Sequence, residues 1–148
     1  MLENLVIRRI RVEDAEEIGR IYSTIIKSAP KTDFRQIIEE QVRRKEEEAS
    51  FVAEVDGEVV GYMISFIVYA GFGLDKSAWI ATLGVAPRFM GQGIGKRLAN
   101  EIFEFYRQRG IRHVLTSVRW DAADLLSFFK TSGFDRSDFI NLIKVLDS

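Results

Sequence analysis

Three glycines fall within five residues at Gly91-Gln92-Gly93-Ile94-Gly95, between a strand-like run, Trp79–Val85, and a helix-like run, Ile94–Arg109. Glycine lets successive backbone N–H groups turn toward one point with no Cβ in the way. At a helix N-terminus such a turn is an anion site, because the first amides lack intrahelical acceptors and the helix dipole favours negative charge. The chemistry to expect is the holding of a phosphate. Two familiar phosphate loops fail on spacing. The pattern G-x-x-x-x-G-K-[ST], read back from Gly95-Lys96, puts Met90 at its first glycine and Arg97 where a magnesium-binding hydroxyl belongs. The dinucleotide pattern G-x-G-x-x-G meets Lys96 when started at Gly91 and Leu98 when started at Gly93. No opening strand–helix–strand unit surrounds it either.

Composition narrows the field further. A chain of 148 residues suits one domain, large enough to bury roughly two-thirds of its unfolded surface. Hydrophobic residues at 47% and charged residues at 29% are ordinary for a soluble globular protein. A net charge of −1 gives no global attraction to nucleic acid or to an anionic membrane. The absence of cysteine excludes disulfides, thiol catalysis and cysteine metal sites. A single histidine, His113, argues against a histidine metal site or a serine-type triad, and reads as structural at the start of a strand. No metal is expected. Met1-Leu2-Glu3-Asn4 does not read as a secretory signal, and polar residues interrupt every apolar run. A cytoplasmic location follows as the expectation.

The elements that must position the loop are legible from periodicity. Leu5–Ile10 reads as a strand, and Asp14–Lys27 places Ile18, Ile21, Tyr22 and Ile25 at helical spacing. Ala29-Pro30 breaks that helix, and Thr32 or Asp33 can cap a second one bearing Phe34, Ile37, Ile38 and Val42. The following charge run, Arg43 to Glu48, reads as a solvated last turn. Phe51–Val55 and Glu58–Val68 flank Asp56-Gly57, a hairpin turn signal. A fourth strand near Ser77–Val85 stops at Pro87, and the helix after the glycines ends at Gly110. His113–Val118 is expected as a fifth strand, Ala122–Ser132 as a short helix and Phe139–Leu146 as a closing strand. The expected order is βααβββαβαβ in a single-domain α/β fold, with a mixed, mostly antiparallel central sheet flanked by helices.

The stretch Leu83-Gly84-Val85-Ala86-Pro87-Arg88-Phe89-Met90-Gly91-Gln92-Gly93-Ile94-Gly95-Lys96-Arg97-Leu98, with Phe128-Phe129-Lys130-Thr131-Ser132-Gly133-Phe134 further on, resembles the GCN5-related N-acetyltransferase (GNAT) family. The resemblance covers nearly the whole chain. It implies that the amides of Met90, Gly91, Gln92, Gly93, Ile94 and Gly95, with Lys96 close behind, hold the pyrophosphate of acetyl-CoA. Met90 stands where the family usually has Arg or Gln; this removes a side-chain donor and leaves the backbone N–H. Arg88, Lys96 and Arg97 are candidates to compensate by charge. The resemblance further implies that the pantetheine arm pairs with the strand before the loop, at Leu83 C=O and Val85 N–H. Gly84 between them is a strand glycine of the kind that marks a bulge or a close backbone approach.

An N-acetyltransferase needs a neutral amine, charge stabilisation on the acyl oxygen and an exit for the thiolate. An amide near Leu83–Val85 is the natural oxyanion donor. The tyrosine that the family often places four residues before its Gly-Phe pair is Phe129 here, and the positions of its catalytic glutamates are Trp79 and Ser117. The nearest carboxylates are Asp121 and Asp124. Asp121 is read either as the cap of the short helix or as a catalytic or substrate-orienting group, and Asp124 either as part of that helix's first turn or in the same chemical roles. Tyr62, Tyr69 and Thr82 are further candidates. The acceptor, the amine of a small molecule or peptide, is expected between the first two helices and the segment Tyr69–Ser77, whose glycines suggest a loop able to fold over it. The missing base suggests low-pKa amines. Two competing readings stand beside this one: an acyl-CoA-binding sensor with little turnover, and an acyltransferase using another short acyl-CoA. A homodimer through Phe139–Leu146 is open, as is that segment's place in a monomer's sheet.

Overall fold

The computed structural model describes residues 4–26, 32–71 and 73–147. β1 (Leu5–Arg9) leads through a short 3-10 turn, Val12–Asp14, into α1 (Ala15–Ile26), and α2 (Phe34–Arg43) follows. The turn is fixed by Asp14, a buried carboxylate that accepts from the Arg8 guanidinium at 2.8 and 2.9 Å and from Arg11 N–H at 2.8 Å. Those charge-assisted bonds, Asp14 first, hold the Arg8 guanidinium above its ordinary pKa. Of the two candidate caps for α2, Asp33 fills the role: its carboxylate accepts from Gln36 N–H at 3.1 Å. The breaker Ala29-Pro30 lies outside the described residues.

Asp56 and Gly57, at φ 51° and 82°, form the left-handed turn that reverses β2 (Ser50–Val55) into β3 (Glu58–Gly71). β3 reverses into β4 (Leu74–Val85), then α3 (Ile94–Gln108), β5 (Val114–Thr116) and α4 (Ala123–Thr131) complete the elements. The five strands form one sheet in the order β1-β2-β3-β4-β5. Every pair is antiparallel except β4–β5, which runs parallel from Ala78↔Val114 to Ile80↔Thr116. The mixed, mostly antiparallel sheet is as expected. The chain divides into two compact units, residues 1–116 and 117–148. No helix among the described residues is long and apolar enough to cross a membrane.

Within the first unit the sheet separates two cores. A Cβ at Gly84 would meet Ile25 of α1, whereas one at Gly61 would meet Ile94 and Leu98 of α3. Tyr62 pairs directly with Gly84 and so shares its face, and Gly61 is the next residue, facing the other way. Hence α1 and α2 cover one face, with Ile18, Ile38, Val52, Tyr62 and Ile64 buried beneath them, and α3 covers the other.

Three expectations are corrected. The segment Tyr69–Ser77 is not an open loop: Tyr69↔Lys76 and Gly71↔Leu74 pair, and Gly73 at φ 89° makes the turn of a long hairpin arm. Glycine at the end of an arm is compatible with pairing, which depends on backbone groups alone. Phe72 lies outside the described residues. The closing strand Phe139–Leu146 does not form; the segment is irregular, with Ile140, Leu142, Ile143, Val145 and Leu146 each between 76% and 91% exposed. Its polar residues explain this. Asn141 and Lys144 recur every third position, so one falls on each face of a strand and neither face is continuously apolar. The fifth strand is likewise shorter than His113–Val118, and His113 takes part through its carbonyl, which accepts from Ala78 N–H at 2.9 Å.

Candidate active site

The glycine loop begins where β4 ends. Pro87–Phe89 forms a 3-10 turn whose closing bonds run from Phe89 N–H to Ala86 O (2.8 Å) and from Met90 N–H to Pro87 O (3.2 Å). The Met90 amide is therefore already engaged, and its side chain, 54% exposed, brings no donor. The run of amides with no backbone acceptor among the described residues starts one residue later. Gly91 and Gly93 sit at φ 78° and 80°, in the left-handed region. A Cβ at either would meet no atom within 4 Å, so backbone conformation and not crowding requires glycine there. Gly93 caps α3, and the first bond along that helix is Arg97 N–H to Gly93 O, 3.1 Å. Among the described residues, the amides of Gly91, Gln92, Gly93, Ile94, Gly95 and Lys96 donate to no backbone carbonyl. Gly91–Gly93 are exposed, as are Lys96 and Arg97 on the first turn. Arg88 is engaged elsewhere, paired with Glu58 and stacked on Phe89 at 4.9 Å. Ile94, almost fully buried against Gly61, pins the start of α3 to the sheet.

Beside the loop, β4 offers an edge that β5 does not reach, and one extra residue decides which backbone groups face it. β3 and β4 pair Ile64↔Thr82 and Ser65↔Ile80, leaving Ala81 as an extra residue on β4. Before this bulge, the even-numbered residues turn their amides toward β5: Ala78 N–H donates to His113 O. After it, the even-numbered residues turn toward β3: Ala86 N–H donates to Val60 O at 2.8 Å. The backbone groups of Leu83 and Val85 must then point away from β3. β5 pairs only with Ala78–Ile80 and does not extend that far. So, among the described residues, Leu83 and Val85 present N–H and C=O groups that no strand pairs, on the side where the sheet opens. Nothing in the sequence marks Ala81, because alanine in a strand signals no bulge.

Packing within the fold itself requires glycine at position 84. A Cβ there would come within 2.8 Å of Ile25 Cδ1 and 2.9 Å of Tyr62 Cε1. The Tyr62 ring lies across Gly84, and its hydroxyl faces Thr82 Oγ1 at 3.5 Å. Tyr22, Phe34 and Tyr62 form an edge-to-face column with centroids 5.2 and 6.1 Å apart. Gly84→Ala should displace this ring, costing about 1–3 kcal/mol as an overpacked site; thermal unfolding checks it.

The second unit holds the remaining expected residues. Asp121 does not cap α4, whose N-cap is Ala122. It forms a two-pronged pair with Arg119 at 3.0 and 3.1 Å. That pairing holds the Asp121 carboxyl below its ordinary pKa, which suits a fixed charge better than a general base. Asp124 lies exposed in the first turn of α4. Phe129 is buried and contacts Phe128 and Phe134 edge-to-face, with centroids 5.1 and 5.0 Å away. The Gly133-Phe134 pair has a structural cause. Gly133, at φ 97°, donates to Lys130 O (3.1 Å), and Phe134 N–H donates to Phe129 O (2.9 Å). This is the Schellman ending of a helix with its accompanying apolar contact. Phe129 is thus the residue on which the helix end closes.

A surface hollow of about 320 Å³, lined by Phe103, Arg107, Gly110, Ile111, Arg112 and Val114, lies at the other end of α3. At 1.5 Å per residue that end is about 22 Å from the free amides, so the hollow is separate from the glycine loop.

Solved structures with this fold are acetyltransferases in the following cases. An aminoglycoside acetyltransferase from an uncultured soil metagenomic sample, in complex with trehalose, superposes with a TM-score of 0.77 at 20% identity, covering 97% of each chain. The aminoglycoside N-acetyltransferase AAC(6')-Iy in complex with CoA gives 0.80 at 17% identity, over 95% of this chain and 94% of that one. A ribosomal-protein-alanine N-acetyltransferase from Brucella melitensis biovar Abortus 2308 gives 0.74 at 17% identity, over 97% and 99%. These identities establish the shared fold. The family model "Acetyltransferase (GNAT) family" matches residues 12–134, a span that includes the Ala81 bulge, the glycine loop and the Gly133-Phe134 helix end, and the chain belongs to that family.

Proposed function

We propose that the protein transfers an acetyl group from acetyl-CoA to a primary amine of a small molecule or peptide, with the whole chain acting as one N-acetyltransferase domain. The observation supporting this most directly is the adjacency of two backbone features. The free amides from Gly91 to Lys96 suit a pyrophosphate, and the open edge at Leu83 and Val85 suits the amide groups of a pantetheine arm, which can add to it like a strand. Bound acetyl-CoA supplies the acetyl thioester. An amide of the Leu83–Val85 edge stabilises charge developing on the acyl oxygen. The amine attacks directly in a ternary complex: the N–C bond forms, the C–S bond breaks with its electrons on sulfur, and the amine's proton passes to water. A thiol of pKa about 8.5 is a tolerable leaving group without an acid, consistent with Phe129 having no proton to give. The chain works in the cytoplasm.

Release of thiol from acetyl-CoA across panels of amines, amino acids and peptides tests the reading, with calorimetry of coenzyme A alongside. Binding with turnover is expected. Binding without turnover on any panel would favour an acyl-CoA sensor, the reading that Phe129 in its aromatic cluster favours. No binding at millimolar ligand rejects both.

The side chains packed on the α1 face of β4 around Gly84 and the Tyr62 ring are Tyr22, Ile25, Phe34 and Thr82, all uncharged. Uncharged side chains neither deprotonate an ammonium nor pair with it, so the acceptor arrives neutral. An α-amine near pKa 7.8 is far more neutral at pH 7 than a lysine amine near 10.4. The expected result is that kcat/KM rises with pH and levels off at the pKa of the amine used, moving with that pKa from one acceptor to the next. An inflection fixed across amines would point to a base on the protein.

A further inference from the structure

We propose that the hydroxyls of Thr82 and Tyr62 anchor the acceptor's amino group beside the open edge of β4. This rests on the acetyltransferase reading above and deepens it by naming the residues that hold the amine. Tyr62 is 0% exposed, yet its hydroxyl is held only loosely, with Thr82 Oγ1 at 3.5 Å. Ordinary O–H···O bonds measure about 2.7–2.8 Å. A buried hydroxyl facing a stretched partner has room to tighten onto it, and a weak bond at a buried donor is costly. Thr82 is half-buried, so the pair reaches solvent on the Thr82 side. It also precedes Leu83, whose backbone groups lie on the free edge.

Gly84 makes this arrangement possible. With no Cβ at that position, the Tyr62 ring lies flat across β4 and brings its hydroxyl to Thr82, two residues away on the same face. Burial pushes the Tyr62 phenol above its ordinary pKa, which keeps it a donor. Tyr62 donates to Thr82 Oγ1 and fixes its position. The second lone pair of that oxygen accepts an N–H of the incoming neutral amine, leaving the nitrogen lone pair free. Thr82 touches the acceptor; Tyr62 is a positioning residue acting through it.

The test uses Thr82→Val, Thr82→Ser and Tyr62→Phe in the full chain. The acceptor is glycinamide, replaced by the fastest amine of the panel where glycinamide is slower. Thr82→Val should lower kcat/KM for the amine about tenfold, and Tyr62→Phe about threefold, as one neutral hydrogen bond is lost or loosened. Thr82→Ser should restore activity to within about twofold. In all three, coenzyme A affinity by calorimetry and KM for acetyl-CoA should stay at wild-type values. Wild-type amine kinetics in both Thr82→Val and Tyr62→Phe would overturn the proposal, as would a parallel loss of coenzyme A binding, which marks a structural role. A wild-type protein that releases thiol with no amine overturns the acetyltransferase reading itself, and that outcome is visible before any variant is made.

Discussion

Gly93→Ala should weaken coenzyme A binding by about tenfold or more. The residue sits at φ 80°, where an L side chain is disfavoured by roughly 1–2 kcal/mol. The added methyl meets no atom within 4 Å, so the chain relieves the strain by moving the loop. That movement turns the amides of Gly91 to Gly95 away from a common point. A shift of 1.4 kcal/mol in binding is a factor of ten. Gly110→Ala separates strain from binding. Gly110 has nearly the same φ, 76°, and the same open surroundings, but it ends α3 at the far side from the loop. Both variants should melt a few degrees lower, and only Gly93→Ala should lose affinity. Equal coenzyme A affinity in the two, measured by calorimetry, would remove the loop from the binding site.

Tyr106→Phe should destabilise the fold by about 2 kcal/mol, the cost of leaving a buried polar group unpaired, which is about 6 °C in Tm for a chain of this size. The Tyr106 hydroxyl is the centre of a buried polar cluster. It accepts from Ala49 N–H at 3.1 Å and shares a 2.7 Å bond with Ser65 Oγ. Ser65 Oγ also donates to Ala49 O, and Ser65 N–H donates to Ser50 Oγ at 3.2 Å. Ser50 Oγ donates to Gln41 Oε1 at 2.6 Å, and Gln41 Nε2 donates to Ser65 O at 2.8 Å. Glu48, buried as well, accepts from Ile67 N–H at 2.6 Å. The cluster ties α2, β2, β3 and α3 together next to Ser65, which flanks the bulge opposite Ala81. Burial raises the Tyr106 phenol above its ordinary pKa, so the hydroxyl stays protonated and the loss should be constant across the neutral range. Thermal melts that match wild type within a degree would show that the cluster repacks without it.

The parts of the fold visible in the sequence are those whose cause is local. Asp56-Gly57 fixes its turn through two left-handed residues, Asp33 caps a helix through one side chain, and Gly91 and Gly93 announce a loop by their spacing. The family followed from the same local marks. What was not legible depends on pairing between distant segments. Ala81 becomes a bulge only because Ile64 and Ser65 opposite it take Thr82 and Ile80 as partners. Gly84 marked a close approach, and one group that makes it, Tyr62, lies twenty-two positions earlier. Asp121 looked like a cap or a base, yet Arg119, two residues away in an irregular segment, claims it. Tyr69–Ser77 read as a loop because glycine is scarce in strands, although the end of a hairpin arm tolerates it.

The bulge at Ala81 has a consequence for how this strand responds to mutation. The local bend of β4 owes its place to a count of residues and to no side chain. Ala81 itself is exposed, so replacing it leaves the count intact. Point substitutions, which are the commonest genetic change, therefore pass over the bend. A single-codon deletion at that position would act quite differently. It would let Ile80 and Thr82 follow each other as Ser65 and Ile64 do opposite, removing the local bend of β4 while Leu83 and Val85 keep facing away from β3.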